Sequence, residues 1–294
     1  MEERTFEVGL GGYKILQAPN MTPTQMMSYL ITTPNGELIV IDGGWREDTD
    51  YLVEKIHEFG SKVSLWIITH VHHDHYLALT QILEREDRYG ITIEKLCYNF
   101  PPQDWILDAE PQFADNNKIF FAVLPKVKDI THIVEENEEL VIDGMTIEFM
   151  HVPDDYNDYD PGYKGGSTVN DTSIVFKMNF PTGKTALFMG DLGFRAGQKL
   201  AEKLGERLKS DIVQMAHHGQ NGAGEDVYKL VKPELCMWTA PMWLYDNNMW
   251  YRDPENFENK FNSHYFKTVT VREWMDKLGV KMHAVEGEGP AWIE

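Results

Sequence analysis

The chain has 294 residues, 42% hydrophobic and 12% aromatic, which is enough apolar material for a substantial core. No apolar stretch reaches the ~18 residues of a membrane-crossing helix, and the opening MEERTFEVGLGG lacks the charged and apolar regions of a secretory signal, so a cytoplasmic protein with no membrane association is expected. Twenty-seven basic against 47 acidic residues give a net charge of −20, which repels polyanions and argues against extended nucleic acid as a partner.

In chain order, MMSYLITTPNGELIVIDGG reads as two strands joined by a turn at Pro34-Asn35-Gly36. DTDYLVEKIHEFG follows as a helix with an aspartate cap, helical spacing of Leu52, Val53, Ile56 and Phe59, and Gly60 as its stop. KVSLWIITH reads as a buried strand and YLALTQILERE as a second helix. Cys97 and Cys236, far apart in apolar surroundings, form neither a disulfide framework nor a CxxC clip. TSIVFKMNF and KTALFMGD read as strands joined by the turn Pro181-Thr182-Gly183. They are followed by the helix AGQKLAEKLGERL, the strand DIVQMAHHG and the short helix EDVYKLVK. Alternating strands and helices favour an α/β layered architecture, and the strand pairs joined by tight turns make its sheets mixed. With no internal repeat and no linker, residues 1–294 read as one domain, with aromatic, turn-rich insertions near 153–166 and 242–265.

Several apolar strands end in a residue able to bind or support a metal: Asp42, His70, Asp191, and His217 with His218. In α/β sheets the pocket lies beyond the carboxyl ends of strands, where loops converge on a ligand. The stretch HVHHDH packs His70, His72, His73, Asp74 and His75 into six positions behind one such strand. Residues two apart on extended chain point the same way, so His70 and His72 can grip one ion. Asp74 and His75, at the start of the next helix, can grip a second, and Asp191 can bridge both. His73 faces away from His72 and reads as a supporting or surface residue. A donor set of imidazoles and carboxylates without thiolate suits two zinc ions foremost, with manganese or iron as alternatives.

These motifs resemble those of the metallo-β-lactamase superfamily: Asp42 in IDGG, His70 to His75 in HVHHDH, Asp191 in MGD, and AHHG at 216–219, in the superfamily's order. The resemblance implies an αβ/βα four-layer sandwich, two mixed sheets flanked by helices, with a dinuclear site at one edge. It also favours His217, which follows the small Ala216, as the ligand of the HH pair. His218 then serves as a hydrogen-bond donor or proton source on the pocket wall. Asp42 is expected to support the ligand loop through hydrogen bonds. The third motif departs from the pattern: where most members carry a histidine, the chain reads VNDTSIVF, so Asn170 or Asp171, or else His151 of FMHVPDD, stands in for the absent ligand.

VNDTSIVF, GD and HHG together are similar to the hydrolase domain of DNA-uptake competence channels and to phosphorylcholine esterases of bacterial surfaces. The match is incomplete, because His72 stands where the competence branch often has aspartate and HHGQ where it usually has HHGS. Glutamate at position 72 would mark the superfamily's diiron oxidoreductases, and histidine there points to hydrolysis. The resemblance therefore implies a metal-dependent hydrolase acting through a metal-bound hydroxide, with Asp74 and Asp191 orienting the nucleophile. The expected substrate is a small phosphodiester or related phosphoester. A lactone, thioester or carboxyl-ester hydrolase is the alternative, and a non-catalytic metal-binding scaffold is the third reading. Tyr156, Tyr159, Trp243, Tyr245 and Trp250 of the two insertions are candidates to surround a quaternary ammonium by cation–π contact.

Overall fold

The computed structural model of the chain describes residues 2–153, 169–247 and 266–294. In its first half, strands β1 (Arg4–Phe6), β2 (Lys14–Gln17), β3 (Ser28–Thr32) and β4 (Leu38–Asp42) lead into helix α1 (Thr49–Glu58). Strands β5 (Lys62–Val63) and β6 (Leu65–Ile67) then precede helix α2 (His73–Glu84). Strands β7 (Thr92–Ile93) and β8 (Leu96–Tyr98), helices α3 (Gln103–Ala109) and α4 (Ala114–Val123), and strand β9 (Thr131–Ile133) complete that half.

The second half opens with β10 (Glu139–Ile142), β11 (Met145–His151), β12 (Val175–Asn179) and β13 (Thr185–Phe188). Helix α5 (Phe194–Leu204), β14 (Ile212–Gln214), α6 (Glu225–Val231), β15 (Leu235–Trp238) and α7 (Met242–Tyr245) follow. Helix α8 (Thr268–Leu278) and strands β16 (Met282–Val285) and β17 (Ala291–Ile293) close the chain. None of the described helices is long and apolar enough to cross a membrane.

Two mixed sheets result. One has 8 strands in the order β1-β17-β2-β3-β4-β6-β8-β9, and the other has 7 in the order β10-β11-β12-β13-β14-β15-β16. Strand alternation assigns each face its partner. Ile31, Ile41 and Ile67 from the first sheet meet Ile147, Phe176 and Phe188 from the second in a core between the sheets. Their neighbours Leu30, Val40 and Trp66 face outward onto Leu52 and Ile56 of α1 and Leu79 and Ile82 of α2. On the far side Val175, Leu187, Val213 and Cys236 pack against Leu200 of α5, Val227 of α6 and Met275 of α8. Three apolar seams between four layers give the expected αβ/βα sandwich.

The hairpin at Pro34-Asn35-Gly36 forms as read, with β3 antiparallel to β4 and Gly36 at φ +87°. Three local readings need correction. KVSLWIITH is two strands, because β5 leaves the main sheet to pair with β7 while β6 stays between β4 and β8. Helix α2 begins at His73 rather than Tyr76, which puts Asp74 and His75 in its first turn. Asp48 does not cap α1; its carboxylate accepts the backbone N–H groups of Trp45 and Met21, each at 2.8 Å.

Candidate metal centre

The site sits where β4, β6, β13, β14 and β15 end. Strand β4 stops at Asp42 in a left-handed turn (φ +56°) that brings its side chain under the loop after β6. There Asp42 is fully buried, and burial holds its carboxyl above the usual range. One oxygen accepts Thr69 N–H (2.8 Å), and the other accepts Thr69 Oγ1–H (2.8 Å) and faces His75 Nδ1 (2.7 Å). A carboxylate against Nδ1 fixes the proton there and turns the lone pair of Nε2 into the site. His218 is set the same way, since its Nδ1 donates to the Thr239 carbonyl at 2.8 Å.

The two Nε2 atoms converge on carboxylates. His75 Nε2 lies 3.3 Å from Asp191 Oδ2 and 3.9 Å from Asp74 Oδ2, and His218 Nε2 lies 3.4 Å and 3.1 Å from the same atoms. Next to them His70 Nε2 is 3.1 Å from His72 Nδ1 and 3.9 Å from Asp191 Oδ2. The donors thus fall into two groups, Asp74, His75, Asp191 and His218 in one and His70, His72 and Asp191 in the other, each with all atoms within 4.8 Å of one another. Asp191 belongs to both.

The donor chemistry fits divalent cations. His75 Nε2, His218 Nε2 and Asp191 Oδ1 are buried without a hydrogen bond, a costly condition that a cation would relieve. Burial alone would raise the Asp191 carboxyl, but His218 and His75 outweigh it and hold the group well below the usual carboxylate range. For the two imidazoles burial works downward, yet the facing carboxylates push His75 well above its ordinary value and His218 up to about 10. Burial keeps His70 and His217 below theirs.

The HH pair takes the reverse of its expected placement. Both residues are left-handed (φ 50° and 56°), which swings His218 inward to the carboxylates and leaves His217 on the pocket wall. There His217 Nε2 is 3.1 Å from Asn170 Nδ2 and 4.0 Å from Asp191 Oδ2. Of the three stand-ins for the third-motif histidine, Asn170 alone is drawn to the site. Asp171 accepts the backbone N–H groups of Gly193 and Ala196 at the start of α5, and its carboxyl, pushed up by burial, sits at about 6. His151 ends β11 with Nδ1 3.9 Å from Glu136, apart from both donor groups.

The cleft over the donors holds about 380 Å³ and is lined by Thr24, Gln25, Trp45, His72, His73, Asp74, Phe113, Asn170, Asp191, His217, Gln220, Asn221 and Phe266. Two of the aromatic residues expected around it, Trp243 and Tyr245, are absent from its lining. Trp243 is buried and donates Nε1–H to the Pro23 carbonyl at 2.9 Å, and Tyr245 meets Trp238 edge-on and lies under Arg272. Tyr156, Tyr159 and Trp250 lie outside the described residues. Among the described residues the aromatic lining consists of Trp45, His73, Phe113 and Phe266, with the His73 ring centroid 4.5 Å from Phe113 and 5.8 Å from Trp45. His73, expected to support the site or lie at the surface, is buried in that wall.

Gly219 shapes the same turn. It is left-handed (φ +75°), and a methyl there would overlap the ring of the fully buried Trp238. Gly219→Ala should cost about 2 to 4 kcal/mol, from overpacking and a strained φ together. Urea unfolding of the metal-free protein checks this, and a midpoint equal to the parent's would contradict the packing described here.

Comparison with known proteins agrees with this architecture. The family model "Metallo-beta-lactamase superfamily" matches residues 21–231. Among solved structures, the metallo-β-lactamase fold protein YhfI from Bacillus subtilis superimposes with a TM-score of 0.51 at 11% identity, covering 93% of this chain and 96% of that one. CmlA, a diiron β-hydroxylase from Streptomyces venezuelae, superimposes with a TM-score of 0.53 at 12% identity, covering 95% of this chain and 53% of that one. No curated protein matches the chain in sequence. A family model spanning most of the chain, on a four-layer sandwich with clustered donors at one edge, shows that this protein belongs to the metallo-β-lactamase superfamily.

Proposed function

We propose that the protein is a metal-dependent hydrolase of a small phosphodiester or related phosphoester, with two zinc ions as its cofactor. The observation that carries the reading is Asp191 Oδ2 placed between two groups of buried imidazoles, with His75 Nε2 and His218 Nε2 in one of them lacking a hydrogen bond. His70, His72 and Asp191 would hold one ion, and Asp74, His75, His218 and Asp191 the other. Bound there, a pair of such ions acidifies water and polarises the oxygen of the electrophile.

The chain's own groups do the rest. Asp74 and Asp191 orient the nucleophile and take its hydrogen bond, and the Asn170 and His217 side chains lie on the cleft side to meet the substrate or the leaving group. No lysine or arginine lines the cleft among the described residues, so the charge of a phosphoester falls to the ions and these neutral donors. The net charge of −20 favours a small substrate over a polyanion. The branch resemblance of VNDTSIVF and HHG supports phosphorus over carbon as the centre attacked.

Metal counting on the purified protein, with hydrolysis of bis(p-nitrophenyl) phosphate compared with p-nitrophenyl esters and lactones, tests the proposal. Two ions per chain are expected, with phosphodiester turnover that is lost on chelation and restored by zinc. Fewer than one ion and no rescue would favour a binding scaffold, and turnover of esters alone would move the reading to the carboxyl-ester class.

Proton linkage gives a separate check. His75 and His218, raised above their ordinary values, are imidazolium in the metal-free protein at neutral pH and must lose those protons to become donors. Zinc uptake at pH 7 is therefore expected to release protons, measurable by calorimetry in buffers of different ionisation enthalpy, and its affinity should rise with pH. In the metal-free protein the sign reverses. The stability from His218 is complete below the unfolded histidine value of ~6.5 and is lost as pH climbs through about 10.

A further inference from the structure

Glu110 carries no motif, yet its carboxylate is buried directly behind the donors. It sits where α3 ends, before a short turn at Pro111–Phe113. Oε2 lies 2.7 Å from His72 Nε2, and Oε1 accepts Val169 N–H at 3.5 Å, next to Asn170. Phe113 of the same turn holds the His72 ring edge-on, with centroids 5.6 Å apart. His72 is thus gripped at Nε2 and along its ring while Nδ1 is left facing His70 Nε2 at 3.1 Å.

We propose that Glu110 is a positioning residue for the first cation: it keeps the His72 proton on Nε2, so that Nδ1 is the donor paired with His70 Nε2. The inference rests on the two-ion reading above. An imidazole can present either nitrogen, and the carboxylate it donates to decides which lone pair is free. The constraint matters most at this position because, among the described residues, the His70 group has three donors where the other has four, so each carries a larger share of the binding. Without the carboxylate, the short distance between the two histidine nitrogens favours a hydrogen bond from Nδ1–H to His70, and that would close the donor pair to a cation. The Val169 contact ties this grip to the segment carrying Asn170, which lines the same side of the cleft.

The test reads metal affinity and ring protonation. Glu110→Gln and Glu110→Ala are compared with the parent chain by zinc competition against a chromophoric chelator. One of the two ions should bind 10 to 100 times more weakly, the range for losing such a partner, with the other unchanged. Unfolding of the chelated proteins, run in parallel, reports any purely structural loss. On the parent loaded with cadmium-113, with His72 assigned by its absence in His72→Gln, nitrogen-15 spectra should show the ring proton on Nε2 and metal coupling to Nδ1.

Two ions bound with parental affinities in both variants would overturn the inference, as would a ring proton on Nδ1 in the parent. The spectra also decide the case if neither variant folds. A parent chain that binds no metal would instead sink the two-ion reading itself, a result distinct from parental affinities in the variants.

Discussion

Asp191→Ala is expected to leave at most one weakly held ion and to lower phosphodiester turnover on the order of a thousandfold, the scale for losing a transition-state charge stabiliser. Asp191 Oδ2 lies within reach of His70, His75, His217 and His218 together, at 3.3 to 4.0 Å. Alanine also leaves protonated His75 and His218 without that carboxylate, so both should titrate at lower pH, and zinc uptake at neutral pH should release fewer protons than in the parent. Metal counting and calorimetry check the two effects independently of turnover. Parental metal content in the variant would show that the two donor groups do not depend on a shared oxygen.

Substitutions at Asp42 should separate folding from ligation. Asp42→Ala orphans Thr69 N–H, Thr69 Oγ1–H and His75 Nδ1–H in a fully buried place. Breaking a buried ionic hydrogen-bond network of this kind costs about 3 to 5 kcal/mol. Asp42→Asn keeps the shape and one acceptor for Thr69, but its amide can turn an N–H toward His75 and shift the imidazole proton to Nε2, the nitrogen that faces Asp191. That variant should fold with a modest loss and bind zinc 10 to 100 times more weakly. Urea unfolding measures the first effect and chelator competition the second. Equal stability losses in the two variants would mean that the carboxylate oxygen facing His75, absent from both, carries all of the stabilisation, and that the shape and the acceptor kept by asparagine contribute none.

The layers were legible because strands buried on both faces read as continuous apolar runs between helices, as LIVI of β4 does, while the assignment of Leu30 and Val40 to one face and Ile31 and Ile41 to the other came only with the structure. The grouping of polar residues at strand ends was legible for the same reason, since the fold brings those ends to one edge. Backbone sign was harder to read. His217 and His218 both adopt positive φ, a conformation that residue type does not announce outside glycine, and it exchanges the directions of two adjacent rings.

Residues that act through distant partners left no local mark. Glu110 lies 38 positions from His72 and in no repeated spacing. Asp171 looked like a ligand because a carboxylate beside the strand is chemically apt, while its pairing with the N-terminus of α5 depends on a turn formed only in three dimensions. The aromatic wall was sought among the long insertions. Among the described residues it is formed by Phe266, next to the second insertion, and by Trp45 and Phe113, single aromatics in short turns on either side of α2.

His70, His72, Asp74 and His75 hang from one sheet of the sandwich, while Asp191 and His218 hang from the other, and the seam between the sheets is largely apolar. Ions clasped by both sets would rivet the leaves together at their open edge. Catalytic competence and resistance to prying apart would then draw on the same six side chains, and starving the protein of metal would loosen its mechanics as well as its chemistry.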